Sequence, residues 1–225
     1  MDRKKESREM ADVFFPSCKM TAGYTEASRR LAEYMKERHN ILPVGCCRVN
    51  HQKLQEDDRA IVICTTCSSV ISESSKTKNI EFAWQLIDED PSFRFPDYHG
   101  ERMTVQDCWF TVDRRDVQLA VRSLLKKMNI EVVEQEESFE KTMFCPKMLG
   151  PALPDNIRLA PGRFIEKCPQ VLRELNSDEQ EQYLREHCGK IETDDVVCYC
   201  KACREGIERG GKRGIHLLEL VFNTI

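Results

Sequence analysis

Cysteine motifs occur twice, in the same order, along this chain of 225 residues, and the fold has to accommodate that repeat. Each copy contains a single cysteine after a short apolar run, then one cysteine or an adjacent pair, then a C-x-x-C motif. The matched segments are 13–18 with 103–108, Cys46 with Cys145, and 61–67 with 197–203. Such a recurrence indicates a duplicated unit. We therefore predict two similar halves, 11–95 and 96–225.

Short runs rich in β-branched and aromatic residues alternate with stretches of helical periodicity. Strands are predicted at 12–15, 41–44, 60–63, 103–106, 130–133 and 195–197. Helices are predicted at 25–38, at 113–128 with Asp113 as N-cap, and from Ser177, with Gln180 completing a capping box. This alternation predicts an α/β fold in which each half is a small, mostly parallel sheet with flanking helices.

Three connecting segments are predicted from their prolines and glycines. Residues 90–100 are expected to link the two halves, and residues 136–169, with five prolines, to form an extended loop that wraps the second half. The glycine-rich segment 210–214 lacks the spacing of a phosphate-binding loop, so we predict a turn between two helices there and no nucleotide or flavin site.

The cysteines are placed directly after the predicted strands. Cys18 follows the first strand, Cys46 and Cys47 the second, Cys64 and Cys67 the third, Cys108 the fourth, and Cys198, Cys200 and Cys203 the last. Ligands of open α/β sheets bind beyond the carboxyl ends of the strands. We therefore expect these thiols to converge into binding sites although they are far apart in the sequence.

The composition limits the chemistry that these thiols can perform. The N-terminus resembles no secretory signal, and no apolar run reaches the ~18 residues that would cross a bilayer, so we expect a cytoplasmic protein without direct membrane insertion. Disulfides are rare in that compartment, so twelve cysteines indicate metal binding or thiol chemistry. A formal net charge of −4 argues against nucleic acid as a partner.

The number of thiolates in the first half favours a multinuclear centre over a single ion. Five cysteines exceed the four ligands of a tetrahedral zinc site, and soft thiolates readily bind iron–sulfur clusters. Two alternatives remain open. One is a non-catalytic module that binds zinc or a cluster and organises a redox complex; the other is a metal-free thiol–disulfide enzyme that uses one of the C-x-x-C motifs.

These motifs resemble the cysteine-rich, or CCG, domain found in heterodisulfide reductase and related iron–sulfur reductases. The resemblance spans roughly residues 13–222 and implies an electron-transfer oxidoreductase whose non-cubane 4Fe-4S cluster acts on a disulfide or another small acceptor. It implies an electron-donating ferredoxin-like or flavoprotein partner. It also implies two ligand sets: Cys18, Cys46, Cys47, Cys64 and Cys67 for the first, and Cys108, Cys145, Cys200 and Cys203 for the second.

The chain departs from the family pattern at two positions. Pro146 stands where the second half would have the second cysteine of the pair, and Arg48 stands where the first half would have glycine. The second site is therefore expected to hold a cubane cluster, a zinc ion or nothing, with Cys198 either a fifth ligand or a core residue. We predict core positions for Cys168, Cys188 and Trp109. For His51, His99 and His216 we predict an ordinary surface or hydrogen-bonded role. Asp107 is predicted to line an entrance to the second site.

Overall fold

The computed structural model describes residues 10–151 and 153–225 and shows two parallel sheets flanked by helices, which confirms the predicted fold class. The first sheet contains β1 (Asp12–Phe15), β2 (Arg59–Val62) and β3 (Ile80–Phe82), in that spatial order. The second contains β4 (Arg102–Gln106), β5 (Glu131–Val133), β6 (Asp195–Cys198) and β7 (Arg213–His216), in the order β5-β4-β6-β7. All neighbouring strands run parallel.

Helices follow or connect the strands. In chain order they are α1 (Cys18–Gly23), α2 (Thr25–His39), α3 (Cys47–Asn50), α4 (Thr65–Ser74), α5 (Ala83–Glu89), α6 (Arg115–Lys127), α7 (Pro154–Leu159), α8 (Ser177–Cys188), α9 (Lys201–Arg209) and α10 (Leu217–Val221). Two of the predicted helices appear as α2 and α6 with ends shifted by one or two residues, and the third, α8, begins at Ser177 as predicted.

The two sheets share one connectivity. A single parallel bridge from Phe14 to Pro43 places residues 41–44 beside β1, as β5 lies beside β4. Segment 41–44 is nevertheless not a strand, because Pro43 has no N–H to donate to a ladder. The prediction of a strand there was wrong, and β3 and β7 were missed. With 41–44 included, both halves have the same order of four segments, in agreement with the duplicated motifs.

Two helix caps differ from the prediction. The helix α6 starts at Arg115, and Asp113 does not cap it. The carboxylate of Asp113 instead accepts a hydrogen bond from the Arg163 guanidinium at 2.6 Å. The cap of α8 is Asn176, whose side chain accepts from the N–H of Asp178 and Glu179, rather than Ser177. Asparagine is among the strongest N-cap residues, so it takes this place one residue earlier.

Two connections also correct the prediction. Residues 210–212 join α9 to β7, a helix to a strand, and Gly211 provides the positive φ of 93° that the turn requires. The segment 136–169 is broken into short helical turns and packs on the first half as well as the second. The Glu73 carboxylate on α4, for example, accepts the N–H groups of Gly162 and Arg163 at 2.6 and 2.9 Å. Residues 91–100 contain neither helix nor strand.

One continuous apolar core joins the two sheets. Trp84 and Trp109 are both buried in it, which confirms the predicted core position of Trp109. The Trp109 ring lies edge-on to Phe110, with ring centroids 5.3 Å apart. Burial of each large apolar side chain contributes on the order of 1.5–3 kcal/mol, so a shared core fixes the halves against each other. No helix within the described part of the chain is long and apolar enough to span a bilayer.

Candidate metal and thiol site

The local backbone explains why cysteines gather at the strand ends. Each C-x-x-C motif begins at the N-cap of the helix that follows a central strand: Cys64 caps α4 after β2, and Cys200 caps α9 after β6. The second cysteine of each motif, Cys67 or Cys203, then lies in the first helical turn. Both sulfurs therefore lie at a helix N-terminus, where the helix dipole stabilises a thiolate.

The first cysteine set lines one cavity of about 560 Å³, to which both halves contribute; we call it the cysteine cavity. Within it, Cys18 interacts with Cys46, while the thiol of Cys67 is hydrogen-bonded to both Cys47 and Cys64. Cys200 of the second half also borders the cavity. The structure thus brings all five thiols predicted for the first site to a common space.

Proton sharing among these thiols is uneven. Hydrogen bonding to Cys67, aided by the nearby ammonium of Lys147, outweighs the effect of burial and lowers the pKa of Cys64 to about 5. The same hydrogen bonding lowers the pKa of Cys47, whereas the pKa of Cys67 is raised. Thiolates are the form that binds metal, so this set is partly prepared for ligation before any metal arrives.

The second cysteine set contains a tighter group. The sulfurs of Cys108, Cys200 and Cys203, here called the triad, lie within 4.8 Å of one another and all three residues are buried. In the described ranges 10–151 and 153–225, it is the one such group of three or more potential ligands. Thiolates around one tetrahedral ion with bonds of about 2.3 Å stand about 3.8 Å apart. The triad can therefore bind a metal ion or form part of a cluster site.

The fourth predicted ligand, Cys145, is close enough for its charge to interact with Cys200 but does not belong to the triad. Burial raises the pKa of Cys145 to about 12. Within the triad, hydrogen bonding from Cys108 and Cys203 lowers the pKa of Cys200 and raises the pKa of both donors. Within the metal-free triad the proton is thus favoured on Cys108 and Cys203 over Cys200, and a metal ion would replace such protons.

A buried polar network fixes Cys108 at the end of β4. The backbone N–H of Cys108 donates to the hydroxyl of Tyr199 at 3.2 Å, and that hydroxyl donates to Asp107 at 2.9 Å. Both oxygens of Asp107 also accept from the Arg122 guanidinium at 2.7 Å. Asp107 is only 1% exposed. The prediction that Asp107 lines an entrance was therefore wrong. Asp107 instead holds the end of β4 in place.

Positive charge surrounds the cysteine cavity. Four cationic side chains line it, those of Lys19, Arg48, Lys147 and Lys201. The single carboxylate on the wall is that of Glu205. The carboxylate pairs with Lys201, so three cations have no acidic partner on the wall. Sequence reasoning missed the lysines. The repeat contained one signal, since Lys147 follows Cys145-Pro146 as Arg48 follows Cys46-Cys47.

The other cysteines are placed elsewhere. Cys198 is fully buried at the end of β6 and lies outside the triad. Cys168 donates to the carbonyl of Phe164 at 2.9 Å, and Cys188 lies against Gly210, where an added Cβ would be 2.2 Å from its sulfur. Neither Cys168 nor Cys188 borders the cysteine cavity. All three positions are core positions.

The three histidines also lie off the cavity wall. His51 is hydrogen-bonded through Nδ1 to the carbonyl of Cys47 at 2.9 Å. His216 caps α10 by accepting the N–H of Leu218 at 3.1 Å, and His99 is exposed. The arrangement thus provides thiols and cations, and no imidazole, to whatever occupies the cavity.

Comparison with known proteins adds no assignment: no family model, no curated protein and no solved structure matches this chain. The resemblance to the cysteine-rich reductase family therefore rests on the motif residues alone. What the structure itself provides is a buried cysteine triad beside a second, larger thiol-lined cavity.

Proposed function

We propose that this chain is an iron–sulfur oxidoreductase component, resembling the cysteine-rich component of heterodisulfide reductase, that transfers electrons to a disulfide or another small acceptor. The observation that carries the proposal is the cysteine cavity, in which five thiols face a common space of about 560 Å³. Cys18, Cys46, Cys47, Cys64 and Cys67 would hold the cluster. The cluster would supply one-electron chemistry that no protein side chain here offers.

The residues present fit such a group in number, softness and charge. Thiolates are the usual ligands of iron–sulfur clusters, and five of them exceed what one tetrahedral ion can use. A thiolate-ligated cluster carries negative charge, which Lys19, Arg48 and Lys147 on the same wall would offset. The three cations thus favour an anionic occupant over a neutral one.

The overall reaction balances with one external donor. Reduction of one disulfide to two thiols consumes two electrons and two protons. We infer that the electrons come from a ferredoxin-like or flavoprotein partner, because the sequence contains no nucleotide or flavin motif. Cys18 on the cavity wall is exposed, so a small acceptor would have a route to the thiols.

A second candidate function has its own supporting observation. The triad is compact enough for a single tetrahedral ion, and zinc is the usual occupant of such buried thiolate sites. If the first cysteine set also held no iron, the chain would be a structural module that organises a redox complex. The two candidates differ in colour and in metal content.

Metal analysis of protein purified without oxygen tests the proposal. We expect broad visible absorption and several iron and sulfide per chain. Cys47→Ala should lose most of the iron, whereas Cys188→Ala, which removes a core thiol outside the cavity, should keep it. A colourless protein that contains zinc only would overturn the proposal in favour of the structural module. Equal iron loss in both variants would show that the effect comes from destabilisation rather than ligation.

A further inference from the structure

Lys147 extends from the second half into the space between the two cysteine sets. Its ammonium donates to the hydroxyl of Thr66 at 2.8 Å, in the first turn of α4 of the first half. It also lies 4.9 Å from the centre of the Phe110 ring. The side chain forms part of the cysteine cavity wall together with Cys64 and Cys200, one cysteine from each set. Lys147 therefore bridges the two halves at their thiols.

This ammonium has no carboxylate partner. No acidic group of the described residues forms an ion pair with it, and its strongest charge interactions are with Cys200, Cys64, Cys108 and Cys145. Burial alone would lower the pKa of Lys147, but the charges of the neighbouring cysteines, Cys200 and Cys64 foremost, raise it above its ordinary value. A charge withdrawn from water is costly unless an opposite charge compensates it, and here the compensating charges are sulfur anions.

The two cysteine sets meet at the same place. The hydroxyl of Thr65, next to Thr66, donates to Cys200 Sγ at 3.7 Å and accepts from Cys108 Sγ at 3.8 Å. Thr65 follows Cys64 directly. At the N-terminus of α4, Thr65 therefore contacts the triad, and the next residue, Thr66, contacts Lys147.

We propose that Lys147 is a shared counter-ion of the two cysteine sets and sets how tightly the triad binds a divalent metal ion. With Cys145 as the predicted fourth ligand, four thiolates around a divalent ion carry a net charge of −2. The metal-free set carries less negative charge, because the raised pKa values of Cys108, Cys145 and Cys203 favour their protonated forms. An adjacent ammonium therefore stabilises the loaded state more than the empty one. The inference shares its thiols with the proposed function but does not require iron, and it makes Lys147 a positioning charge rather than a ligand.

Cobalt(II) titration of the reduced, metal-stripped full chain provides the test, because thiolate-bound cobalt absorbs in the near ultraviolet and visible. The band that disappears in Cys203→Ser belongs to the triad. Lys147→Met should weaken cobalt binding at that band by about tenfold or more, the effect of one charge at close range. Lys147→Arg should bind nearly as the unmodified chain does, and Lys147→Glu should bind more weakly than Lys147→Met.

Lys201→Met is the matched control, since Lys201 borders the same cavity but its ammonium is paired with Glu205. It should change the affinity less than threefold. Circular dichroism of each metal-free variant shows whether it is folded. A second measurement avoids metal stripping: the variants are loaded with zinc, and the loss of zinc to a chelator should rank them in the same order as their cobalt affinities.

Equal cobalt affinity in Lys147→Met and the unmodified chain would overturn the inference, as would absence of a triad band in the unmodified chain. Neither result bears on the iron content of anaerobically purified protein. Conversely, a preparation without iron would remove the proposed function and leave the cobalt result intact.

Discussion

Pro146 packs directly on Gly206 of α9, so closely that a Cβ on the glycine would lie 2.3 Å from Pro146 Cγ. Pro146 occupies the place in the repeat that Cys47 has in the first half. In the first half this position provides a thiol to the cysteine cavity; in the second it provides a packing contact against a helix. The second half thereby gives up a thiol, and the next residue is the Lys147 that bridges both sets.

Gly206→Ala should destabilise the protein although alanine is the better helix former. The gain in helix propensity is about 1 kcal/mol, whereas overpacking of a close contact costs about 1–3 kcal/mol. We expect a lower midpoint of urea unfolding and weaker cobalt binding at the triad, because Cys145 and Lys147 flank the displaced proline. Gly23→Ala is the control, since its Cβ meets only the flexible chain of Lys201. A midpoint above that of the unmodified chain would contradict the prediction.

Asp107→Asn should cost stability and also loosen the triad. The substitution turns an amide N–H₂ toward Arg122, whose side chain is only 12% exposed. Breaking a buried ion pair costs about 3–5 kcal/mol, and we expect the lower end because Glu134 still pairs with Arg122 at 2.8 Å. Thermal unfolding and cobalt affinity should both decrease. The control is Asp97→Asn at an exposed position, where neither the thermal unfolding temperature nor the cobalt affinity should change. Unchanged cobalt affinity in Asp107→Asn would show that the network does not position Cys108.

His187 should make the fold sensitive to acid. Burial, followed by the charge of Lys190, lowers the pKa of His187 to about 4, while its Nε2–H donates to Gln106 Oε1 at 2.6 Å. The unfolded chain takes up this proton near pH ~6.5 and the folded chain does not, so stability falls as the pH decreases from ~6.5 toward 4. The loss from this group is about 2–3 kcal/mol at pH ~4.5.

Urea unfolding at pH 7 and pH 4.5 measures this effect. His187→Gln should show a smaller decrease in the free energy of unfolding between the two pH values than the unmodified chain. His99→Gln, at an exposed position, should show the same decrease as the unmodified chain. An identical pH dependence in His187→Gln would show that other groups cause the acid sensitivity.

Access to the cysteine cavity should depend on Asn156 of α7. Its side-chain oxygen accepts from Arg48 at 2.6 Å, which joins the segment around Leu153 and Asn156 to the first half over the cavity. Asn156→Ala removes this hydrogen bond, worth about 1.5–3 kcal/mol when one partner is charged. We expect iodoacetamide to alkylate Cys64 several-fold faster, as followed by mass spectrometry. Arg158→Ala on the same helix should leave the rate unchanged, and equal rates in both variants would exclude this role.

The sequence predicted the elements whose signals are local. The apolar run of β2 and the helical periodicity of α6 were found because each pattern lies within one segment. The strand β3 has three residues with a glutamate at its centre, and β7 contains a glycine, so neither shows a strand pattern without its neighbours. The opposite error occurred at residues 41–44, an apolar run that was predicted to be a strand. Pro43 prevents this run from forming a regular ladder of backbone hydrogen bonds.

The candidate site was predictable in its thiols but not in its charges. Cysteine positions relative to strand ends are visible in the sequence, and the parallel topology then brings them together. The role of Lys147 depends on its reach across to Thr66 of the other half, 81 residues away in the chain. Likewise Asp107 looks like a polar residue beside a site until its partners Arg122 and Tyr199 are known.

The walls of the cysteine cavity come from residues as far apart as Ser17 and Glu205. During synthesis the early thiols leave the ribosome long before Cys200 and Lys201, so the cavity does not exist until almost all of these segments have emerged. An occupant that needs walls from both halves can therefore enter only after the segment around Cys200 and Lys201 has been made.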